Sequence, residues 1–311
     1  YTLNLLKLPW LSTTVKLTTY QNFYPKSFDI ETKKIVEEPL HLSYHTAEVN
    51  LKGPVFYKIF NLRGGKLKHI FEPKVDFKYS TQISDEDYSK LVKFDRTDFP
   101  QYSVLGFGFT TRLLYKKNDS EESPREILSY TASQKYYFEP EQAGMRIPIF
   151  ETKEYPEFSE LSNSLRISPA KHVSLNLSLS YNYYLRQFQR INATLSLTDK
   201  EGIVSGKLGY SSYKNPYLSP NFYFNRDMIN GSARLKIPGF PVELNGGISY
   251  DITTNEFRYG SAIAQIDYQC MKFNLEFKVY SNRFGTYSQF RFGFSLGEMG
   301  AVSDLMGGNR P

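Results

Sequence analysis

Residues 173–183 read Val-Ser-Leu-Asn-Leu-Ser-Leu-Ser-Tyr-Asn-Tyr. Val173, Leu175, Leu177, Leu179, Tyr181 and Tyr183 share one parity, and Ser174, Asn176, Ser178, Ser180 and Asn182 share the other. Strand side chains alternate between faces, so this stretch has one apolar and one polar face; a helix would scatter both kinds around its axis. The pattern continues outward. Ile191, Ala193, Leu195 and Leu197 alternate with Asn192, Thr194, Ser196 and Thr198, then Asp199-Lys200-Glu201-Gly202 reads as a turn. Ala233, Leu235 and Ile237 alternate with Arg234 and Lys236 before a Pro238-Gly239 turn. Met271, Phe273, Leu275, Phe277 and Val279 oppose Lys272, Asn274, Glu276 and Lys278. Phe290, Phe292, Phe294 and Leu296 oppose Gln289, Arg291, Gly293 and Ser295, and upstream Leu105, Phe107, Phe109, Leu113 and Tyr115 oppose Thr110 and Arg112.

About fifteen such strands are legible, many near ten residues, and strands in soluble proteins average about five or six. A tilted strand crosses a bilayer in about 9–11 residues. Charges at Arg112, Lys272, Glu276, Lys278 and Arg291 sit on the polar parity; on a lipid-facing surface a basic group would cost about 2–4 kcal/mol at mid-bilayer, and on a wet interior little. The expectation is an all-β, antiparallel transmembrane β-barrel of the outer-membrane type. A large soluble antiparallel sheet with its polar face in solvent is the plainer reading. Connections alternate in length. Ser168-Pro169-Ala170-Lys171, Asp199 to Gly202 and Pro238-Gly239 read as tight; Gln21 to Pro39, Thr81 to Pro100 and Glu139 to Phe158 read as long and charged, the outer-membrane arrangement.

Composition agrees. Fifty of the 311 residues are aromatic (Tyr 25, Phe 24, Trp 1), while mean hydropathy is only −0.46. No run approaches the roughly 18 uncharged apolar residues of a helical span. A net charge of +6 is spread over strands and loops, without the clustered basic patch that nucleic-acid binding needs. The four histidines (His41, His45, His69, His172) fall at no zinc-ligand spacing, and one cysteine, Cys270, leaves no internal disulfide framework. There is no G-x-S-x-G, H-E-x-x-H or P-loop. His172 beside a tight turn reads as a surface group rather than a catalytic one. The acidic run Asp85-Glu86-Asp87 with Asp95 and Asp98 reads as a solvated loop, without calcium-loop spacing. No enzymatic activity, cofactor or metal is expected. Gly231, Gly246, Gly247, Gly293 and Gly297 fall in strands, where glycine bends a sheet or admits a close neighbour.

One segment carries a resemblance. Leu67-Lys68-His69-Ile70-Phe71-Glu72-Pro73, continuing Lys74-Val75-Asp76-Phe77-Lys78-Tyr79, resembles the H-x-x-E-P segment (His69, Glu72, Pro73) in the barrel of the LptD family of lipopolysaccharide-assembly proteins. Gly53 to Phe60 before it is similar to the same family. So, in order, are Asp95-Arg96, the stretch from Tyr102 to Tyr115, and Gln134-Lys135-Tyr136-Tyr137-Phe138. Asp267-Tyr268-Gln269-Cys270 matches the place of a family cysteine, and Phe290 to Gly297 matches the closing strand. The collinear matches span most of residues 53–300.

The resemblance implies lipopolysaccharide assembly at the Gram-negative outer membrane. It implies a periplasmic jellyroll, a barrel of about 26 strands, and glycolipid leaving through a lateral seam between first and last strands into outer-membrane lipid. It further implies an LptE-like plug lipoprotein and a periplasmic Lpt bridge contacting the jellyroll. On this view residues 1–311 are a partial C-terminal barrel domain, with the jellyroll and first barrel strands lying upstream. Cys270 would pair with a cysteine outside this sequence. Phe290, Phe292, Gly293, Phe294 and Gly297 would belong to the gate strand, and Lys272, Glu276, Lys278, Arg291 and Arg112 would face the lumen. Lysines and arginines there either attract phosphates or only solvate the interior. The alternative function is a diffusion porin or ligand-specific transporter barrel.

Overall fold

Gly65–Ser80, here β7, is a single strand of 16 residues. Its odd positions carry Leu67, Phe71, Pro73, Val75, Phe77 and Tyr79; its even positions carry Lys66, Lys68, Glu72, Lys74, Asp76 and Lys78. The computed structural model describes residues 2–8, 10–81, 83–91, 103–118, 121–140, 155–214, 225–268, 271–282, 285–296 and 301–302. Among them, every long element is an antiparallel strand, and no helix is long and apolar enough to cross a membrane. The chain forms two compact units, one built mainly from Tyr1–Asn163, the other mainly from Ser164–Ser180, Phe188–Asn215 and Tyr223–Pro311.

In the first unit, β1 (Thr2–Leu8) pairs with β2 (Leu11–Tyr24), and β2 pairs with β5 (Leu40–Lys52). β5 pairs with the second half of β7 and β6 (Phe56–Leu62) with the first half; β7 then pairs with β8 (Val104–Lys117), and β8 with β9 (Arg125–Tyr137). Register sorts the faces. Val15, Val49, Phe77 and Leu105 lie opposite one another in series, as do Lys16, Glu48, Lys78 and Val104. Aromatic rings gather in two rows on the apolar side. Phe56–Phe71–Phe109–Tyr130 step across β6 to β9, with centroids 6.5, 5.3 and 5.8 Å apart. Phe77 of β7, Phe138, Tyr136 of β9 and Phe158 form the second row near the long-loop ends, at 6.1, 5.1 and 5.0 Å. From Phe71 to Phe77 is six residues, about 20 Å along a strand.

β5 and β6 are one strand interrupted by a bulge. Lys52 faces Lys74 and Phe56 faces Phe71, so Gly53-Pro54-Val55 stand opposite Glu72-Pro73, three residues against two. This explains a proline in mid-strand. The Gly53 N–H donates to the Pro73 carbonyl at 2.8 Å, so the backbone of Pro73 is turned toward the bulge, where no acceptor awaits the N–H it lacks. Val55 N–H bonds to the Trp10 carbonyl at 2.8 Å, fastening the start of β2. Gly53 has φ of 108°, and a Cβ there would run into the Trp10 oxygen.

The long connections are more structured than the sequence suggested. β2 runs on through Gln21 to Tyr24, and a small hairpin, β3 (Ser27–Phe28) and β4 (Ile35–Val36), follows. Asp29 at its turn accepts from Thr32 Oγ1 at 2.6 Å and Glu31 N–H at 2.9 Å, bonds that hold its carboxyl below the usual range. Thr81 to Pro100 contains a one-turn helix, α1 (Asp85–Ser89), capped by Ser84, whose Oγ accepts the Asp87 N–H at 3.1 Å and donates to its carboxylate at 2.7 Å. The acidic run is thus a helix start, and no metal-binding group of His, Cys, Asp or Glu exists among the described residues; Asp95 and Asp98 lie outside them. Ile83 and Leu91 flank α1 and pack with Leu40, Leu42 and Tyr44 in the largest buried apolar cluster among the described residues, joined by Tyr24. Phe28 N–H bonds to the Lys90 carbonyl at 2.7 Å, tying hairpin to helix. By register, Leu40, Leu42 and Tyr44 share parity with Thr46, Glu48 and Asn50, so the cluster sits on the polar side of the sheet.

β10 (Leu161–Ala170) and β11 (Val173–Asn182) flank a turn at Lys171-His172, so Ser168, Pro169 and Ala170 end a strand rather than form the turn. The proline is tolerated there because strand ends need fewer ladder donors. A meander follows: β12 (Gln187–Thr198), β13 (Val204–Tyr213), β14 (Arg226–Ile237), β15 (Val242–Asp251), β16 (Glu256–Tyr268), β17 (Met271–Asn282), β18 (Gly285–Leu296) and β19 (Ala301–Val302), each paired with the next. The anticipated turns are present, with positive φ at Gly202 and Gly239 and the Asp199 carboxylate accepting the Val204 N–H at 2.9 Å. Apolar side chains here do not make a core. Leu208, Ile248 and Phe290 are 58%, 54% and 60% exposed.

Gly53→Val should disrupt the bulge, costing about 1–3 kcal/mol for the backbone strain alone and more for the collision with Trp10. Heat-modifiable gel mobility of the assembled protein should fall several-fold; unchanged mobility and yield would count against the bulge as a structural requirement.

Candidate functional site

The charged face of β17 and β18 is built by register. Glu276 faces Arg291, Lys278 faces Gln289, and Lys272 faces Ser295. Lys278 Nζ lies 2.6 Å from Glu276 Oε1, and Arg291 Nη1 lies 4.0 Å from Glu276 Oε2. With its amide oxygen turned toward Arg291, Gln289 accepts from Nε at 3.0 Å. Glu276 thus engages two of the three basic groups that the sequence placed there. Lys272 stands apart, four residues or about 13 Å along the strand, beside Asp267 on β16. Phe290, Phe292 and Phe294 face Phe277, Leu275 and Phe273 on the apolar side, and Phe273 contacts the rings of Phe292 and Phe294 at 6.5 and 5.1 Å. Gly293 lies opposite Asn274 on the polar side. Cys270 and Gly297 lie outside the described residues.

The H-x-x-E-P residues do not converge on one site. His69 shares the apolar parity with Phe71 and Pro73, and its Nε2 lies 2.6 Å from Thr111 Oγ1. Glu72 points to the other face and accepts from Arg112 Nη2 at 3.0 Å. Pro73 faces the bulge. The motif is architectural: it neutralises Arg112 across β7 and β8 and marks the bulge formed by the neighbouring Gly53 segment.

Three features were missed in the sequence. Asp251, almost wholly buried, accepts from Arg226 Nε at 3.3 Å and Arg258 Nε at 3.2 Å, and its other oxygen accepts the Thr254 N–H at 3.2 Å. Arg234 grips Glu243 with two bonds of 2.6 and 2.5 Å. Gly106 and Gly108 take successive polar-face positions on β8. The ion pairs are cross-strand partners invisible without register. The glycine pair was legible as Leu105-Gly106-Phe107-Gly108-Phe109, an alternation in which the polar position is empty.

These features define a two-faced antiparallel sheet protein whose polar face carries paired charges and whose apolar face is exposed along its length. The chain belongs to the LptD family: the family described as "LptD: LPS transport system D" matches residues 9–239, well over half of the sequence. Membership ties it to lipopolysaccharide assembly and points to the outer membrane of Gram-negative bacteria. The match takes in His69, Glu72, Pro73 and Arg112 and stops before Cys270 and β18. No curated protein matches. Among solved structures, a mutant porin of Rh. blastica is similar at 9% identity over 92% of this chain and 90% of that one, with a TM-score of 0.38. Acinetobacter baumannii OccAB4 is similar at 9% identity over 93% and 94%, with a TM-score of 0.29. Likeness at this level carries no argument about fold or function.

Glu276→Gln should leave Lys278 and Arg291, diagonal neighbours across β17 and β18, unneutralised on a partly shielded face, costing about 1–2 kcal/mol. The loss should shrink in 1 M salt, where the screening length is about 3 Å. Denaturant unfolding at low and high salt checks this; a salt-independent loss would point to packing instead.

Proposed function

We propose that the chain forms part of a closed transmembrane barrel that moves lipopolysaccharide into the outer leaflet. The polar face lines a wet interior that accepts sugars and phosphates, and acyl chains pass through a lateral seam into outer-membrane lipid. The observation that carries this reading is the inside-out distribution of side chains in an LptD-family chain. Apolar residues such as Leu208, Ile248 and Phe290 are exposed, whereas the buried apolar cluster of Leu40, Leu42 and Tyr44 lies on the polar side. Exposed apolar surface of this extent marks contact with a membrane or a partner. The two aromatic rows, about 20 Å apart along the strands, suit the girdles that flank an apolar band about 25 Å tall.

In this reading β18 is the closing strand, with Phe290, Phe292 and Phe294 toward lipid and Gly293 and Gly297 loosening the seam. Cys270 pairs with a cysteine outside this sequence. An LptE-like lipoprotein plugs the interior, and the periplasmic bridge delivers glycolipid through an upstream domain. No covalent bond is made or broken, and no cofactor takes part.

Two measurements test the reading. Leu208→Arg should lower the amount of assembled protein in membranes, since a mid-bilayer arginine costs about 2–4 kcal/mol, while Ser196→Arg on the opposite face should be tolerated. Equal effects would contradict the assignment of faces. A cysteine cross-link between β18 and the first barrel strand of the intact protein should block surface display of lipopolysaccharide; normal display with the cross-link formed would sink the seam.

A further inference from the structure

The polar face of the first unit contains a recess of about 390 Å³ between β7, β8 and β9. It exists because β8 presents Gly106 and then Gly108 where its neighbours present side chains. A Cβ on Gly106 would collide with the Asp76 carboxylate, and one on Gly108 with the Ala132 carbonyl oxygen, so neither position admits a side chain without displacing its neighbour. One wall is Lys74 and Asp76, linked at 3.3 Å. The opposite wall is Ser133, Lys135 and Tyr137 of β9. At the bottom, the Thr110 and Thr131 hydroxyls meet at 3.0 Å. The segment after the long loop closes the side. Ser159 N–H bonds to the Lys135 carbonyl at 2.8 Å, and Lys135 N–H to Ser159 Oγ at 2.9 Å, which brings Ser159 and Glu160 to the edge of the recess.

We propose that this recess binds the phosphorylated sugar portion of a glycolipid. The inference rests on the reading of the polar face as the transport path and names a station on it. The volume lies within the roughly 300–1,000 Å³ of small-molecule sites. Its chemistry is selective. Lys74 and Lys135 offer ammonium groups to a phosphate. Asp76, Glu160 and the threonine and serine hydroxyls match the donors and acceptors of a sugar ring, and Tyr137 offers a face for it. Inorganic phosphate would use the ammonium groups but leave the sugar-matching hydroxyls idle, and an acyl chain would leave the whole set unpaired. Asp76 keeps 29% of its side chain in solvent, so half-exposed Lys74 turns from it to a ligand without leaving a fully buried charge behind. A second recess of about 210 Å³, sharing Asp76, Lys135 and Tyr137 and adding Glu48, Asn50 and Lys78, extends the same polar surface toward the long-loop ends.

The test is photo-cross-linking in cells carrying the intact protein. A photoreactive phenylalanine replaces Ser133 in the recess or Ser196 on the polar face of the second unit, and adducts are probed for lipopolysaccharide. Only protein with heat-modifiable mobility is scored. The expected result is an adduct at Ser133 that falls at least five-fold in K74Q/K135Q and returns in K74R/K135R; K135Q alone substitutes if the double variant does not assemble. An adduct at Ser196 with none at Ser133 overturns the recess and leaves the polar-face path standing. Adducts at neither position overturn both. An adduct at Ser133 that is insensitive to the lysine variants overturns recognition through phosphate.

Discussion

A strand that separates hydrocarbon from a charged interior has no water on one side to rescue an unpaired amide, so the backbone ladder must be complete. On the proposed membrane reading, the rest of this structure depends on that constraint. The long strands pair residue for residue, twelve pairs between β17 and β18 and fourteen between β7 and β8. The one residue in mid-strand among the described residues that cannot donate, Pro73, is met by a bulge that uses its carbonyl as an acceptor. Gly53 makes that bulge, because only a residue without a Cβ fits beneath the Trp10 carbonyl. The H-x-x-E-P segment and the Gly53 segment, some twenty residues apart, are two halves of one solution.

Charge follows the same economy. On the polar face, acidic groups are matched to basic ones across neighbouring strands or at alternate positions: Glu72 with Arg112, Asp76 with Lys74, Glu243 with Arg234, Asp251 with Arg226 and Arg258, Glu276 with Lys278 and Arg291. Such pairing holds neighbouring strands in register, since a slip of one residue would carry every charge to the apolar side. It also leaves a face that is polar without a large net field.

Much of this was legible in the sequence. Alternation in Val173 to Tyr183 predicted β11 almost to the residue, and Lys272, Glu276, Lys278 and Arg291 fell on one face as parity required. Residues 40–51 show why the rest was hidden. Leu40, Leu42 and Tyr44 alternate as cleanly as any membrane strand, yet Ala47, Val49 and Leu51 alternate on the opposite parity. Only pairing with β2 and β7 decides which set meets the apolar side, and it is the second. The first set is apolar on the polar face because Ile83 and Leu91 come back to cover it. That contact spans some forty residues and leaves no local periodic trace. Ser84 with Asp87 was a readable capping pair, but one turn of helix has too little periodicity to stand out. Cross-strand ion pairs such as Asp251 with Arg226 need a register that no single strand encodes.

The inside-out arrangement also bears on how this chain can drift over time. On the proposed membrane reading, a lipid-facing leucine is packed against fluid acyl chains, which refill any space it leaves, so Leu208 or Ile248 would exchange for another aliphatic residue with little consequence. The ordinary rules of a close-packed interior apply mainly to the cluster around Leu42 and Leu91, where no fluid can enter and a lost methylene leaves a void. Hydrophobic identity is therefore free over most of the apolar surface and constrained at a handful of positions on the face that looks polar. An eye trained on soluble proteins would search for the invariant core on the wrong side of the sheet.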